Sequence, residues 1–171
     1  MNEEQLYKRL KDLLHYDPET GLFTWLQSTN RKIKLGDAAG CLGPQGYVRL
    51  RFDGKYYQAH RLAWLYMTGK WPEEFIDHKD TNKSNNKWGN LREATRSENG
   101  YNRPHQKDNE LGVKGVHLHF GKYLAQITID GKPRYLGVYK TLEEAKYAYE
   151  SVTDNIQGEF AYKMENKNAA I

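Results

Sequence analysis

Two Asp-Gly dipeptides, each set between alternating apolar and polar residues, constrain the fold of this chain more than any other feature. Asp-Gly supplies the positive backbone angles that a two-residue turn between antiparallel strands requires. The first, Asp53-Gly54, follows an alternating strand over 48–52 and precedes a return strand over 55–59. The second, Asp130-Gly131, lies between strands predicted over 123–129 and 134–139. The sequence therefore predicts two separate β-hairpins, which is typical of small antiparallel sheets.

Helical patterns lie outside these hairpins and place the chain in the α+β class. Apolar residues recur at helical spacing over 3–15 and 60–67. A capping box at Thr141–Glu144 begins a C-terminal helix. Ser97 is predicted to cap a short helix that Pro104 ends. Further short strands are predicted at 22–26, 75–76 and 91–95.

Composition excludes several classes of protein. The chain has 171 residues, which suits one ordinary domain or a few small ones. A mean hydropathy of −0.93, with no run near the roughly 20 apolar residues needed, excludes a membrane-spanning helix. The single cysteine, Cys41, excludes a disulfide framework and a zinc site built from paired cysteines. The charged N-terminus is unlike a secretory signal, so we expect a cytoplasmic protein without a membrane partner.

Positive charge is concentrated in two blocks of the sequence. Basic residues outnumber acidic ones over 31–70 and over 101–140, whereas 71–100 is nearly neutral. Basic surfaces on both sides of a carboxylate-containing segment suit a polyanion held across a metal centre. Ordinary solvated lysines would produce the same distribution. Charge alone leaves both interpretations open.

The segment 75–103 combines a carboxylate, an imidazole and many carboxamides between two short apolar anchors. If Asp77 and His78 end a strand, their side chains leave it on opposite faces. The carboxylate could then bind a hard cation while the imidazole acts as a base. Asn99, in the first turns of the next helix, could supply a second oxygen ligand.

Oxygen ligands in small number suit Mg²⁺ or Mn²⁺. A divalent ion beside a base is the arrangement that hydrolyses phosphodiesters. The same residue types also form ordinary turns with a solvated histidine. The spacing alone leaves both interpretations open.

Several motifs recur here at fixed spacings: Asp77-His78, Asn90-Leu91-Arg92 and Glu98-Asn99, with 59–64, Gly69 and Pro72 upstream. Together they resemble the HNH endonucleases, in the branch common in phages and mobile introns. The resemblance covers about residues 45–103. It implies the ββα-metal fold, one divalent ion (Mg²⁺ or Mn²⁺) and cleavage of DNA.

The resemblance also implies a role for each motif residue. Asp77 and Asn99 would bind the ion, and His78 would be the general base. Asn90 would brace the loop that orients the histidine. The third signature position holds Asn99 in place of the His that gives the family its name, which is a variant of the pattern.

Basic residues near this segment are candidate DNA contacts. In the first hairpin Arg49 and Arg51 alternate with apolar residues, so they share the face opposite the packed one. Lys55 and Arg61 extend this group. His60 lies outside the metal-binding triplet: it could contact phosphate, or it could cap or pack the helix that it begins.

A second set of motifs follows at Gly112–Val116, Gly121–Ile127, Tyr135–Tyr139 and Thr141–Tyr149. They resemble the Apetala-type DNA-binding domain of plant ethylene-response factors, related copies of which are appended to HNH nucleases in phages and bacteria. The resemblance implies a three-stranded antiparallel sheet packed on one helix, with the sheet in the DNA major groove. The implied DNA-facing residues are Lys114, His117, His119, Gln126, Thr128 and Tyr135, with Lys122 and Arg134 near phosphate. A sheet-and-helix domain that binds protein is the alternative.

The predicted protein is therefore a phage-encoded or homing-type endonuclease that requires a divalent metal and cleaves double-stranded DNA as a monomer or a homodimer. The alternative is a non-catalytic DNA-binding regulator that retains the nuclease fold. If the protein is phage-encoded, we expect it in the host cytoplasm. The predicted parts are an N-terminal region (1–44), the nuclease core (45–103), a linker (104–111), the DNA-binding domain (112–162) and a flexible tail (163–171).

Overall fold

The computed structural model describes residues 2–28, 32–103 and 109–162. The chain forms two compact units, residues 1–94 and 95–171, and each is built from helices and small antiparallel sheets. The α+β prediction is confirmed. The predicted tail and residues 104–108 of the predicted linker lie outside the described residues.

The first unit begins with a helix and a small sheet. Helix α1 is capped by Asn2 and Gln5, each of which bonds the backbone N–H of the other. The sheet has the order β1-β2-β3, and Gly21, with a φ of 74°, ends the turn between its first two strands. The elements are α1 (Glu3–Leu13), β1 (Leu14–Asp17), β2 (Leu22–Trp25) and β3 (Ala38–Ala39).

A second sheet contains the first predicted hairpin. Its strands are β4 (Cys41–Leu42), β5 (Val48–Phe52) and β6 (Lys55–Gln58), and helix α2 (Ala59–Thr68) follows. Asp53 and Gly54 form the turn with φ of 46° and 77°, as the dipeptide predicts. Helix α2 ends at Gly69, whose left-handed conformation lets its N–H bond to the carbonyl of Leu65.

The last sheet of this unit pairs β7 (Phe75–His78) with β8 (Leu91–Ala94), and a short 3₁₀ turn precedes β8. After β8 the chain enters helix α3 (Arg96–Tyr101), which belongs to the second unit. The predicted cap at Ser97 is wrong: Thr95 caps α3, because its hydroxyl and the Glu98 carboxylate form a reciprocal capping box.

One hydrophobic core serves the whole first unit. It includes residues from α1, β1 and β2 as well as from β5, α2, β7 and β8, so residues of the N-terminal 44 pack together with those that follow. Its buried members are Leu10, Leu13, Leu14, Tyr16, Phe23, Trp25, Ala39, Leu50, Phe52, Ala59, Leu62, Ala63, Leu65, Ile76 and Leu91.

The second unit contains the predicted three-stranded sheet and its helix. The strands are β9 (Val116–His119), β10 (Lys122–Ile129) and β11 (Lys132–Tyr139), in the order β11-β10-β9, and α4 spans Leu142–Gln157. The capping box at Thr141 is present. The core is small: Val116, Ala125, Ile127, Ala145 and Tyr149. None of the helices in the described part of the chain is long and apolar enough to cross a membrane.

Candidate functional site

The β7–β8 pair positions the candidate carboxylate and base. Asp77 and His78 are the last two residues of β7, as predicted, and face Arg92 and Leu91 across the pair. Adjacent residues of a strand point to opposite faces. Both are buried, with 6% of Asp77 and 4% of His78 exposed. The two groups therefore start from a rigid element and are shielded from bulk water.

Asp77 is held by a buried ion pair. Arg92 donates from Nε at 2.9 Å and from Nη2 at 2.7 Å to Oδ2 of the carboxylate. Charge-assisted contacts of this length are among the stronger hydrogen bonds in proteins. Arg92 stood in the sequence motif without an assigned role. Its cross-strand position opposite Asp77 explains why the carboxylate can remain in a buried site.

His78 is oriented by a residue that the sequence interpretation missed. Its Nε2 lies 3.1 Å from Oδ1 of Asn86, which is itself buried. A carboxamide oxygen can only accept, so Nε2 carries the hydrogen and Nδ1 becomes the basic nitrogen of the neutral ring. Burial lowers the pKa of His78 below its ordinary 6.5, against the opposing effects of this hydrogen bond and of the Asp80 and Asp77 charges. The ring is therefore neutral at neutral pH.

Two further rings border His78. His60 meets it edge-on, with ring centroids 5.0 Å apart and planes at 82°, and the Tyr47 centroid lies 6.0 Å from that of His78. His60 is buried, and burial lowers its pKa to about 3, with the charges of His78 and Arg61 adding to the effect. Of the two roles considered for His60, packing is the one visible in the structure.

Asn90 holds the loop between β7 and β8. Its side-chain nitrogen donates to Asp80 Oδ1 at 2.9 Å and to the Asn85 carbonyl at 2.8 Å. Its side-chain oxygen accepts from the backbone N–H of Asp80 at 3.1 Å. These three bonds tie the start of the loop to its end, close to Asn86.

The donor chemistry suits a hard divalent ion. Asp77 provides a carboxylate oxygen, the ligand type that Mg²⁺ and Mn²⁺ prefer. Within the described residues no three His, Cys, Asp or Glu side chains group to hold a metal. An ion bound through Asp77 would therefore take most of its ligands from water or substrate, as Mg²⁺ commonly does. Asn99, the other predicted ligand, lies half-buried in α3 of the second unit.

The first hairpin separates its basic and apolar residues as predicted. Arg49 and Arg51 are exposed, whereas Leu50 and Phe52, which alternate with them, are buried. Lys55 is exposed at the start of β6. Arg61 is placed differently: its Nη1 donates to the Glu74 carbonyl at 2.9 Å, and the guanidinium lies 5.9 Å from the Trp71 ring centroid.

In the second unit, strand register places most predicted DNA-facing residues on one side of the sheet. Ala125 and Ile127 are buried against α4, so the residues that alternate with them in β10 point away from the helix. Cross-strand partners share a face. The predicted DNA contacts on the face away from α4, which Leu124 and Val138 share, are His117, His119, Lys122, Gln126, Thr128 and Tyr135. We call these six residues the polar sheet face.

Two predicted contacts are not part of this face. Arg134 pairs with Ile127, so it leaves the sheet on the helix side. The Lys114 ammonium bonds the carbonyl of Tyr101 at 2.5 Å, and burial lowers its pKa to about 8, with the Arg103 charge adding to the effect. The register shift between Ala125 and Gln126 sets the side on which Arg134 falls, and the sequence carries no local signal for it.

Phe120 is a second residue that the sequence interpretation missed. It occupies the β9–β10 turn with a φ of 46° and is 93% exposed. The two Asp-Gly hairpins place Asp at this turn position, with φ of 46° and 49°. Asp tolerates the left-handed conformation better than a bulky residue does. The Phe-Gly pair between strands was the available signal.

Comparisons with known proteins relate a segment that includes the first site to a nuclease family. The family model described as HNH endonuclease matches residues 57–101. An uncharacterized HNH endonuclease of Acanthamoeba polyphaga mimivirus is 33% identical over 122 residues, which cover 70% of this chain and 63% of the viral protein. The chain thus spans less than two thirds of this relative. No solved structure matches. Residues 57–101 are therefore similar to the HNH endonuclease family, and this segment contains Asp77, His78, Asn90 and Asn99.

Proposed function

We propose that the protein is a metal-dependent endonuclease that hydrolyses phosphodiester bonds of double-stranded DNA. The observation that carries the proposal is the buried, neutral His78, whose Nε2 is engaged by Asn86. A neutral imidazole with one nitrogen committed to a donor role can accept a proton at the other. The match of the surrounding residues to the HNH endonuclease family supports the same reading.

In the proposed mechanism His78 accepts at Nδ1 a proton of the water whose oxygen attacks the phosphorus. The bond from phosphorus to one ester oxygen breaks, and that oxygen leaves as an alcohol after it takes a proton from solvent. Asp77 and Asn99 would hold a Mg²⁺ or Mn²⁺ ion, which when bound stabilises the negative charge that develops on the phosphate. Arg92 orients Asp77 through its two hydrogen bonds to Oδ2. Asn90 fixes the loop in the conformation that the site requires.

DNA would be bound by two surfaces, one in each unit. The hairpin residues Arg49, Arg51 and Lys55 provide exposed positive charge for phosphate contacts. The polar sheet face provides hydrogen-bonding groups on an antiparallel sheet, a form that enters the major groove. We propose that this face, in an ethylene-response-factor-like module, targets a phage-encoded or homing-type nuclease. Phe120 adds an exposed aromatic ring beside it.

Cleavage of plasmid DNA in Mg²⁺ or Mn²⁺ tests the catalytic part. His78→Ala should lower the cleavage rate about 10²- to 10⁴-fold, because the general base is removed. His15→Ala is the matched control: His15 is exposed in β1, and its loss should leave the rate unchanged. Equal rates for His78→Ala and the wild type would remove His78 as the base.

The competing proposal is a DNA-binding regulator that retains the nuclease fold without its activity. Wild-type protein that binds DNA but cleaves none, with either metal, would favour it. The intact set of Asp77, His78, Asn90 and Asn99 favours the enzyme.

A pair of exposed tyrosines tests the targeting part. Tyr135 lies on the polar sheet face, whereas Tyr147 lies on α4, and both are well exposed. Tyr135→Ala should weaken DNA binding in a mobility-shift titration, and Tyr147→Ala should not. Equal effects would reject the sheet face as the DNA contact. Binding through phosphates should also weaken as salt concentration rises.

A further inference from the structure

The contact between His78 and Asn86 supports an inference that rests on the proposed function and deepens it. We infer that Asn86 is the positioning residue for His78, and that Tyr16 and Gly21 of the N-terminal hairpin hold Asn86 in place. In this arrangement Asn86 fixes which imidazole nitrogen is basic and how the ring is turned.

The side chain of Asn86 is where such a residue must be. It is only 2% exposed, so bulk water does not compete for hydrogen bonds to its side-chain oxygen. Buried polar atoms are nearly always paired, and this oxygen is paired with Nε2 of His78 at 3.1 Å. Rotation of an imidazole about its last side-chain bond has broad minima. A single buried acceptor removes that freedom and selects the Nε2–H tautomer.

The backbone at Asn86 is held in place by contacts with the N-terminal β1–β2 hairpin. The Tyr16 hydroxyl donates to the Asn86 carbonyl oxygen at 2.7 Å in a buried hydrogen bond. Burial raises the pKa of Tyr16, so the hydroxyl keeps the proton that it donates. Gly21 approaches the same peptide so closely that a Cβ there would lie 2.4 Å from the Asn86 carbonyl carbon. The loop therefore rests on the β1–β2 hairpin.

Asn90 has a different role from Asn86. Its hydrogen bonds go to Asp80 and Asn85, so it shapes the loop without bonding the histidine ring. The HNH pattern contains Asn90, whereas Asn86 carries the direct contact. The two carboxamides thus have separate roles: Asn90 stabilises the loop conformation, and Asn86 orients the His78 ring.

Steady-state cleavage kinetics of full-length variants test the inference. Asn86→Ala should lower kcat on the order of 10- to 100-fold, the usual loss when a partner of an active-site histidine is removed, with KM unchanged. Asn86→Asp keeps the acceptor, so kcat should be largely retained. Its added charge should move the acid limb of the pH–rate profile to higher pH, because a carboxylate favours the imidazolium form. A purely structural role would leave that profile in place.

Two further variants complete the set. Tyr16→Phe removes only the hydroxyl bonded to the Asn86 carbonyl and should give a smaller loss of kcat, again without a change in KM. Asn82→Ala is the matched control in the same loop: Asn82 is exposed, and its side-chain oxygen accepts from the backbone N–H and the hydroxyl of its neighbour Ser84. Its kcat should equal that of the wild type.

NMR of the histidine ring nitrogens gives a readout that does not depend on cleavage. Wild-type His78 should be the Nε2–H tautomer, and Asn86→Ala should populate both tautomers. An unchanged tautomer together with unchanged kcat in Asn86→Ala overturns the inference. Should Asn86→Ala fail to fold, an unshifted pH profile in Asn86→Asp overturns it. Wild-type protein that cleaves no DNA overturns the proposed function alone, and the tautomer measurement then decides the inference.

Discussion

The two units of the molecule place their candidate functional residues in opposite environments. In the first unit Asp77, His78 and Asn86 are buried: Arg92 donates to Asp77, and His78 is hydrogen-bonded to Asn86. In the second unit the polar sheet face is exposed, as Tyr135 shows at 67%. Chemistry needs a fixed ring and a low pKa, which burial provides, whereas recognition needs groups that a partner can reach. A buried site needs more packed structure around it than an exposed sheet face does.

The hydrophobic cores of the two units differ as well, and the first unit has the larger one. Within the described residues, fifteen buried side chains form the core of the first unit and five that of the second. A larger core can tolerate the cost of burying an ion pair and two imidazoles. A small core offers less room for such groups, and in the second unit His117 and His119 are exposed. The predictions below test this contrast, from the largest expected effect to the smallest.

Loss of a buried counter-ion should cost far more than loss of an exposed one. Arg92→Met leaves the Asp77 carboxylate buried without its guanidinium and should lower the free energy of unfolding by about 3–5 kcal/mol. Arg134→Met, at an exposed position of β11, should change it by less than about 0.5 kcal/mol. Urea unfolding measures both. Similar values for the two variants would show that burial of the Asp77 pair does not govern stability.

Acid should destabilise the first unit selectively. Folded His60 takes up a proton only near pH 3, whereas in the unfolded chain it does so near 6.5. The contribution of His60 to the free energy of unfolding is therefore fully present above pH 6.5. It falls as the pH drops, by about 2 kcal/mol at pH 5. His117 and His119 of the second unit are exposed.

Tryptophan fluorescence can follow this loss in the first unit alone, because all four tryptophans lie at positions 25, 64, 71 and 88. His60→Phe keeps an aromatic ring and removes the titrating group, so its urea midpoint should depend less on pH between 7 and 5. A pH dependence equal to that of the wild type would assign the effect to other groups.

The smallest expected effect concerns the β9–β10 turn. Phe120→Asn should stabilise the second unit by about 0.5–1 kcal/mol, because Asn adopts the left-handed conformation at lower cost. The same variant should weaken DNA binding if the exposed ring contacts DNA. Thermal unfolding and a mobility-shift titration measure the two. Lower stability in Phe120→Asn would mean that the Phe120 ring packs against the second unit, in place of being free to contact DNA.

The elements set by local chemistry could be predicted from the sequence. Both Asp-Gly hairpins, the helix that Gly69 ends and the Thr141 capping box depend on neighbouring residues only, and all are confirmed. Thr95 was missed as a cap because Ser97, two positions later, is an equally good capping residue. Only the reciprocal bond with Glu98 distinguishes them.

The site itself could be predicted only in part. Asp77 and His78 at a strand end follow from the local pattern, but their partners do not. Arg92 reaches Asp77 through strand register, and His60 reaches His78 through the packing of a helix from another part of the unit. Asn86 lies in a run of polar turn-forming residues, where nothing local separates it from Asn85. Such contacts depend on how distant segments meet.

The hydroxyl of Tyr16 and the carbonyl of Asn86 are 70 residues apart in sequence. Contacts at such separation close large loops and are among the later ones to form when a domain folds. The His78 ring would therefore be aligned by Asn86 only after the amino-terminal hairpin has docked. A partly folded chain would carry every motif residue while the His78 ring is still free to rotate.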